Sequence, residues 1–283
     1  MPAIEIRPRR ATELVDAGFH LLRRYYSQLV TVAAIAMAPS VIWRVAMRDT
    51  LTDPTVMVAH PGAMFASFGI ALVFGTIADA VLVICVSDGY LNGTVDLANA
   101  TPRGAARVFQ VFVTSILRWL AVLASAMLLA VVAPLLIKTH LGLLLIILIP
   151  LGIWFVPYVL LRTFAVQQAV LLEQRGPLEA FTRSVALSEN CAAHIFFSLG
   201  LVFLLYVVIY GVTVGIASTL VSRWVSEIVG ALVGVAIYPI LSTVTTLLYY
   251  DLRVRKEGFD LEIMSRELGA PGTASGGEPL PAA

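Results

Sequence analysis

Asp79 is the residue whose type and position most suggest chemistry, because it is an acid placed well inside an apolar stretch. A carboxylate at that depth of a membrane helix costs roughly 2.5 to 3.5 kcal/mol on insertion scales, so something must compensate it. Ser67, Ala71 and Gly75 precede it at intervals of four, a small-residue stripe that suits packing against another helix. It is read either as a proton or cation site or contact to a polar substrate, or as a structural interhelical bond or pair with Arg118 or Arg162. The structural reading leads, since no second deep acid or base accompanies it. Pro39, Pro150, Pro157 and Pro239 fall within apolar stretches, where a missing backbone donor tends to kink a helix. His20, His60, His140 and His194 are scattered, and no HExxH, GxSxG or phosphate-binding glycine loop occurs. No catalytic residue, metal ligand or cofactor is therefore expected. Cys85 and Cys191 have no metal-type spacing and are read as free thiols.

The elements that must position Asp79 are transmembrane helices. Between Trp119 and Leu161 the chain stays apolar for 43 residues around a break at Lys138, Thr139 and His140. One helix of that length would run roughly 64 Å, about twice the hydrocarbon thickness of a bilayer. A tight hairpin follows, with Pro134 and Gly142 flanking its turn. Composition agrees: 59% of residues are hydrophobic and 13% charged, against about 25% charged in soluble domains. The fold class predicted is an all-α integral membrane protein with six spans, near 28–47, 64–86, 119–137, 141–161, 195–221 and 228–250. Of 19 basic residues, fifteen fall in the N-terminal arm, the 87–118 and 162–194 connections and the C-terminal tail. Lys and Arg accumulate on the cytoplasmic side, so both termini are assigned there, in a bacterial inner membrane. A net charge of +1 gives no nucleic-acid footprint.

The long inner connections carry helical patterns of their own. Leu14, Gly18, Leu21, Leu22 and Tyr25 share one face, with Thr12 as the expected N-cap, Glu13 and Asp16 in the first turn, and Arg23 and Arg24 in the last. A second pattern opens at Pro177, with Leu178, Phe181, Val185 and Ala192 opposite Glu179, Arg183 and Glu189. A weaker third starts at Thr101 and Pro102, with Arg103 and Arg107 on its polar side and Val108, Phe112 and Ser115 on another face. Each precedes a pair of spans, which implies a threefold repeat of interfacial helix plus hairpin at a period near ~80 residues. Residues 1–27 thus read as a cytoplasmic amphipathic arm, 28–250 as the membrane domain, 251–268 as a juxtamembrane segment in which Asp260 caps a short helix, and 269–283 as a disordered tail. Gly211 and Gly215, and Gly230 and Gly234, are spaced for close helix packing between the fifth and sixth spans or, less simply, for dimerisation. Arg23, Arg24, Arg183, Arg253, Arg255 and Lys256 form the expected cytoplasmic interface to anionic lipid headgroups.

The run Leu247-Leu248-Tyr249-Tyr250-Asp251-Leu252-Arg253-Val254-Arg255-Lys256-Glu257-Gly258-Phe259-Asp260-Leu261-Glu262 resembles the closing signature of the membrane domain of the glycerophosphoryl diester phosphodiesterase family. Gly176-Pro177-Leu178-Glu179-Ala180-Phe181-Thr182-Arg183-Ser184 resembles that family's internal motif, and the segment ending Leu21-Leu22-Arg23-Arg24 its opening. In some relatives the membrane domain is fused to a soluble phosphodiesterase barrel. The sequence here holds no such barrel, so the resemblance implies a fold and a loose link to envelope or glycerophospholipid metabolism, without the hydrolytic residues. The leading expectation is a non-enzymatic scaffold or partner subunit that docks another membrane or cytoplasmic protein. The alternative is a transporter or channel for a small polar or lipid-derived solute, built around Asp79.

Overall fold

Apolar stretches of this length satisfy every backbone donor and acceptor internally as helix, and among the described residues helix is the only regular secondary structure. The computed structural model describes residues 8–52, 54–138, 145–259 and 261. Six helices are long: α1 (Ala11–Ala46), α4 (Pro61–Leu91), α6 (Val108–Lys138), α7 (Leu145–Arg162), α10 (Ala192–Leu220) and α11 (Arg223–Glu257). Five are short: α2 (Arg48–Thr52), α3 (Pro54–Ala59), α5 (Leu97–Ala105), α8 (Val166–Leu172) and α9 (Pro177–Ser188). Five segments are long and apolar enough to cross a membrane, and six when Leu97–Ala105 and Val108–Ala124, bent by 59°, count as one.

The long helices overrun the spans predicted for them. α1 begins 17 residues before the first span and α11 continues past the last one to Glu257. Hydropathy ends where the apolar layer ends, whereas helical hydrogen bonding continues into a layer built by α5, α8, α9 and the extensions of α1, α4 and α11. The amphipathic arm is accordingly not a separate element. It runs straight into the first span through a kink at Tyr25 (φ −115°, ψ 18°). That kink is held by the Tyr25 hydroxyl and the Arg24 guanidinium, both donating to the carbonyl of Gly93 in the turn after α4. Gly93 takes that turn at φ +68°. The predicted cap moves as well: Arg10, not Thr12, is the N-cap, because Glu13 reaches back to accept from the Arg10 N–H.

The arm's apolar face is spent inside the molecule. Leu14, Val15, Leu21 and Leu22 are buried, and Gly18 lies so close to α11 that an added Cβ would come within 2.8 Å of Val244 Cγ2. α1, α4, α10 and α11 form the packed core, and the α6–α7 hairpin joins it mainly through α4, α8 and α9. α9 starts at Pro177 after an N-cap at Gly176, as the sequence suggests, but it turns its small residues inward. Ala180, Ser184 and Leu187 are buried, while Leu178 and Val185 are exposed. α5 begins earlier than predicted, because the Asp96 carboxylate accepts from the N–H groups of Ala98 (2.9 Å) and Asn99 (3.4 Å) and caps it. Val108, Phe112 and Ser115 consequently belong to α6, beyond a break at 106–107.

α10 and α11 do pack directly, though only one of the two glycine pairs contributes. A Cβ on Gly230 would sit 3.3 Å from both Tyr210 Oη and Val214 Cγ2, and one on Gly234 would be 3.8 Å from Tyr210, whereas Gly211 and Gly215 face open space. Bulky Tyr210 and Val214 occupy the groove on the α10 side, so Gly211 and Gly215 are turned away from the contact. Tyr238 of α11 donates its hydroxyl to the Gly75 carbonyl at 3.4 Å, and a Cβ added to Gly75 would lie 3.8 Å from that hydroxyl. The Lys138–His140 turn with Gly142, the helix expected at 260–268 and the tail 269–283 lie wholly or largely outside the described residues.

Candidate functional site

The carboxylate of Asp79 is compensated by hydrogen bonds rather than by a direct ion pair. Tyr238 donates its hydroxyl to Oδ1 at 2.9 Å and Gln167 donates Nε2 to Oδ2 at 3.3 Å. Three helices meet there: α4 supplies the acid, α11 the phenol and α8 the amide. Gln167 also reaches the buried Ser115 hydroxyl of α6 at 3.4 Å. The sequence around Tyr238 leaves backbone groups locally unpaired. Pro239 removes a donor next to Tyr238, and Thr243 folds back to donate to the Pro239 carbonyl at 2.7 Å.

Arg118 of α6 lines the same space and attracts Asp79 electrostatically without hydrogen bonding to it. Among the described residues its guanidinium forms no hydrogen bond or salt bridge. A guanidinium carries five donors, and in an apolar bundle leaving them without acceptors costs several kcal/mol unless water or a ligand supplies them. The Ser242 hydroxyl, only 6% exposed and on the same wall, likewise has no hydrogen-bond partner.

These groups sit at one end of a cavity of about 480 Å³. Its polar lining is Asp79, Arg118, Gln167, Tyr238, Ser242 and Thr245, and the rest is apolar, from Pro157, Leu160, Leu161, Phe164, Phe196, Leu199, Gly200, Phe203 and Leu241. The rim is apolar and outward-facing, because Leu160, Phe196, Phe203 and Leu241 are exposed. α7 and α10, which supply most of that rim, touch only sparsely. The cavity is polar where α4, α6, α8 and α11 converge and apolar along α7 and α10.

The residues expected at the cytoplasmic interface lie away from this cavity, at the end of the bundle where the short helices gather, and most bind one another's neighbours. Arg183 forks onto Glu173 (2.8 Å) and Glu257. Glu257 also accepts from Arg253 at 3.2 Å, and Arg253 lies 4.1 Å over the Phe259 ring. Arg255 bonds Asp251 at 2.7 Å, and Lys256 caps the Ala186 carbonyl at 2.8 Å. Asp251 in turn accepts from the backbone N–H of Arg9 at 2.6 Å, so the two described ends of the chain meet here. Arg23 is exposed.

Glu173 is the hub of this network. Burial opposes its charge, but hydrogen bonds from Arg183, Tyr249 and Arg175 outweigh that and hold its carboxyl below the ordinary carboxylate range. A depressed carboxyl stabilises the fold at all pH values above its unfolded-state pKa, and the contribution is lost as pH falls through the lower folded-state value. Glu173→Gln is therefore expected to lower stability at neutral pH by about 1–3 kcal/mol and to flatten the acid limb of unfolding midpoint against pH. An acid limb identical to that of the parent protein would remove Glu173 from the hub.

Arg118 was visible in the sequence only as a possible partner for Asp79, whereas Tyr238 and Gln167 went unnoticed. Their signals were a phenol beside the only proline of the last span and an amide pair, Gln167-Gln168, inside the apolar run 164–172. Comparison of the chain with protein-family models, with curated proteins and with solved structures gives no match.

Proposed function

We propose that this chain binds an amphiphilic, lipid-derived molecule in the side pocket between α7 and α10 and moves its polar head across the apolar layer. The observation that carries the reading is an arginine that forms no hydrogen bond among the described residues and lines a cavity whose exposed residues are apolar. An anionic head group would complete the Arg118 guanidinium, a hydroxyl or amine on the same head would donate to Asp79, and an acyl chain would lie against Leu160, Phe196 and Phe203. Head groups that join an anion to a hydrogen-bond donor fit best.

The frame for this function is a bacterial inner-membrane protein with six crossings and both termini in the cytoplasm. The meeting of Arg9 with Asp251 supports an even number of crossings, and the excess of Arg at that end supports its cytoplasmic placement. The outward Leu178 and Val185 of α9 suit a helix lying at the headgroups, as the threefold repeat of interfacial helix and hairpin requires. Membership of the glycerophosphoryl diester phosphodiesterase membrane-domain family fits the same frame, since that resemblance points to lipid or glycerophosphodiester chemistry. For the scaffold reading, the exposed Leu178 and Val185 of α9 remain available for docking, whereas the arm's apolar face is buried against α11.

Gly200 gives the cleanest test. It lines the pocket, and a side chain built on it meets nothing within 4 Å. Gly200→Leu should fill the cavity without strain and, in a helix, without a propensity cost. In proteoliposomes containing zwitterionic phospholipid labelled on its head, the parent protein should accelerate movement between leaflets and Gly200→Leu should abolish it with unfolding unchanged. Equal rates for both proteins would sink the reading.

A further inference from the structure

A second cavity, of about 590 Å³, lies at the headgroup end of the bundle, on the far side of α8 from the side pocket. Its walls carry three guanidinium groups, Arg103, Arg107 and Arg253, against one carboxylate, Asp88. Arg103 is paired with Asp88, and Arg253 shares Glu257 with Arg183. Arg107 differs from both. It donates to the backbone carbonyl of Gln174 at 3.1 Å and to that residue's Oε1 at 3.2 Å, both neutral oxygens, so it is aimed without being neutralised. Gln174 holds this clamp at φ +57°, a left-handed conformation that a residue with a side chain adopts at a cost. The opposite wall presents the Ser87 and Tyr250 hydroxyls, hydrogen-bonded to each other at 2.6 Å.

We infer that this cavity is a phosphate-binding site, with Arg107 as its central donor, Arg103 and Arg253 flanking it and the Ser87–Tyr250 pair offering the one O–H that their mutual bond leaves free. Guanidinium donors converging from three residues suit a tetrahedral oxyanion, whose oxygens point several ways, better than a planar carboxylate or a halide. The charge of Arg107, the one not matched to a carboxylate, favours an anion. The phosphate can belong to a lipid headgroup reaching in from the inner leaflet or to a small soluble phosphate compound. The site does not depend on the side pocket, since it shares no residue with it.

The test uses the full chain in two settings. In a neutral detergent, titration with inorganic phosphate is followed by phosphorus NMR. In nanodiscs of phosphatidylcholine doped with phosphatidic acid, the lipid retained per protein is counted by native mass spectrometry. Saturable binding in the first setting assigns a soluble source, and selective retention of phosphatidic acid without it assigns a lipid source. Either should weaken at least about tenfold in Arg107→Gln, the effect of one lost charged hydrogen bond. Arg107→Lys, which keeps the charge, should recover part of the loss. Thermal unfolding of each variant separates lost binding from lost folding, and Gly200→Leu should leave phosphate binding intact. No binding in either setting, or binding indifferent to Arg107→Gln in a folded variant, overturns the site.

Discussion

Gly104→Ala is expected to destabilise the protein by about 1–3 kcal/mol, and Gly104→Val by more, with the arginine-lined cavity lost in the same step. Gly104 sits where α5 presses on α4, and a Cβ there would be 2.8 Å from the carbonyl oxygen of Ala80, 3.0 Å from its carbon and 3.1 Å from Val81 Cα. All three atoms are backbone in the fully buried centre of α4, where Ala80 and Leu82 have no exposure, so no side chain can turn aside. Relief requires α5 to move outward, and α5 carries Arg103 and leads directly to Arg107. The contrast is Gly18→Ala, whose Cβ would meet the tip of one side chain, Val244 Cγ2 at 2.8 Å, rather than backbone. Unfolding midpoints in mild detergent, read beside phosphate binding, check both. A Gly104→Ala protein as stable as its parent would mean that α5 does not rest on α4 as closely as described.

Much of this architecture was legible in the chain, for an identifiable reason. Spans announce themselves because lipid tolerates no unsatisfied backbone, so apolar length alone marks them. Pro177 and Glu13 were readable because a proline in the first turn and an acid near a helix start act locally. What lay beyond reach was the use made of amphipathic faces. The pattern at Leu14, Gly18, Leu21 and Leu22 is the same whether the partner is lipid or α11, and only tertiary packing decides. α8 was missed altogether, because seven residues are too few for a helical period to stand out in a connection that begins and ends apolar. It matters most, since Gln167 faces one cavity while Leu171, Leu172 and Gln174 border the other. The site was half legible: an acid in a span is conspicuous, but Arg118, adjoining Trp119 at the edge of a hydropathy window, reads as a loop charge. The helix in fact starts ten residues earlier, at Val108, which carries the guanidinium into the bundle.

Asp79→Ala is expected to be the most damaging single change in the apolar layer, at about 3–5 kcal/mol, the typical cost of leaving a buried charge, here Arg118, without its nearby counterion. The substitution takes away the only carboxylate that lines the cavity with Arg118 and strips the acceptor from Tyr238 and Gln167. Asp79→Asn isolates the charge, because an amide oxygen still accepts from Tyr238 while the Arg118 charge loses its counterpart. It should fold with a smaller loss than Asp79→Ala, yet fail to move labelled lipid. The pair can also be removed together. Asp79→Leu with Arg118→Leu leaves no uncompensated charge, so the double variant should recover much of the stability lost by either single one. Stability and function are thereby separated. If Asp79 only holds helices together, the stable double variant should retain lipid movement. If it orients Arg118 toward a head group, lipid movement should be absent even though the fold has been restored. Unfolding in detergent and flux in proteoliposomes, measured on the parent, the two single leucine variants and the double variant, distinguish these outcomes, and undiminished flux in the double variant would end the binding role assigned to both residues.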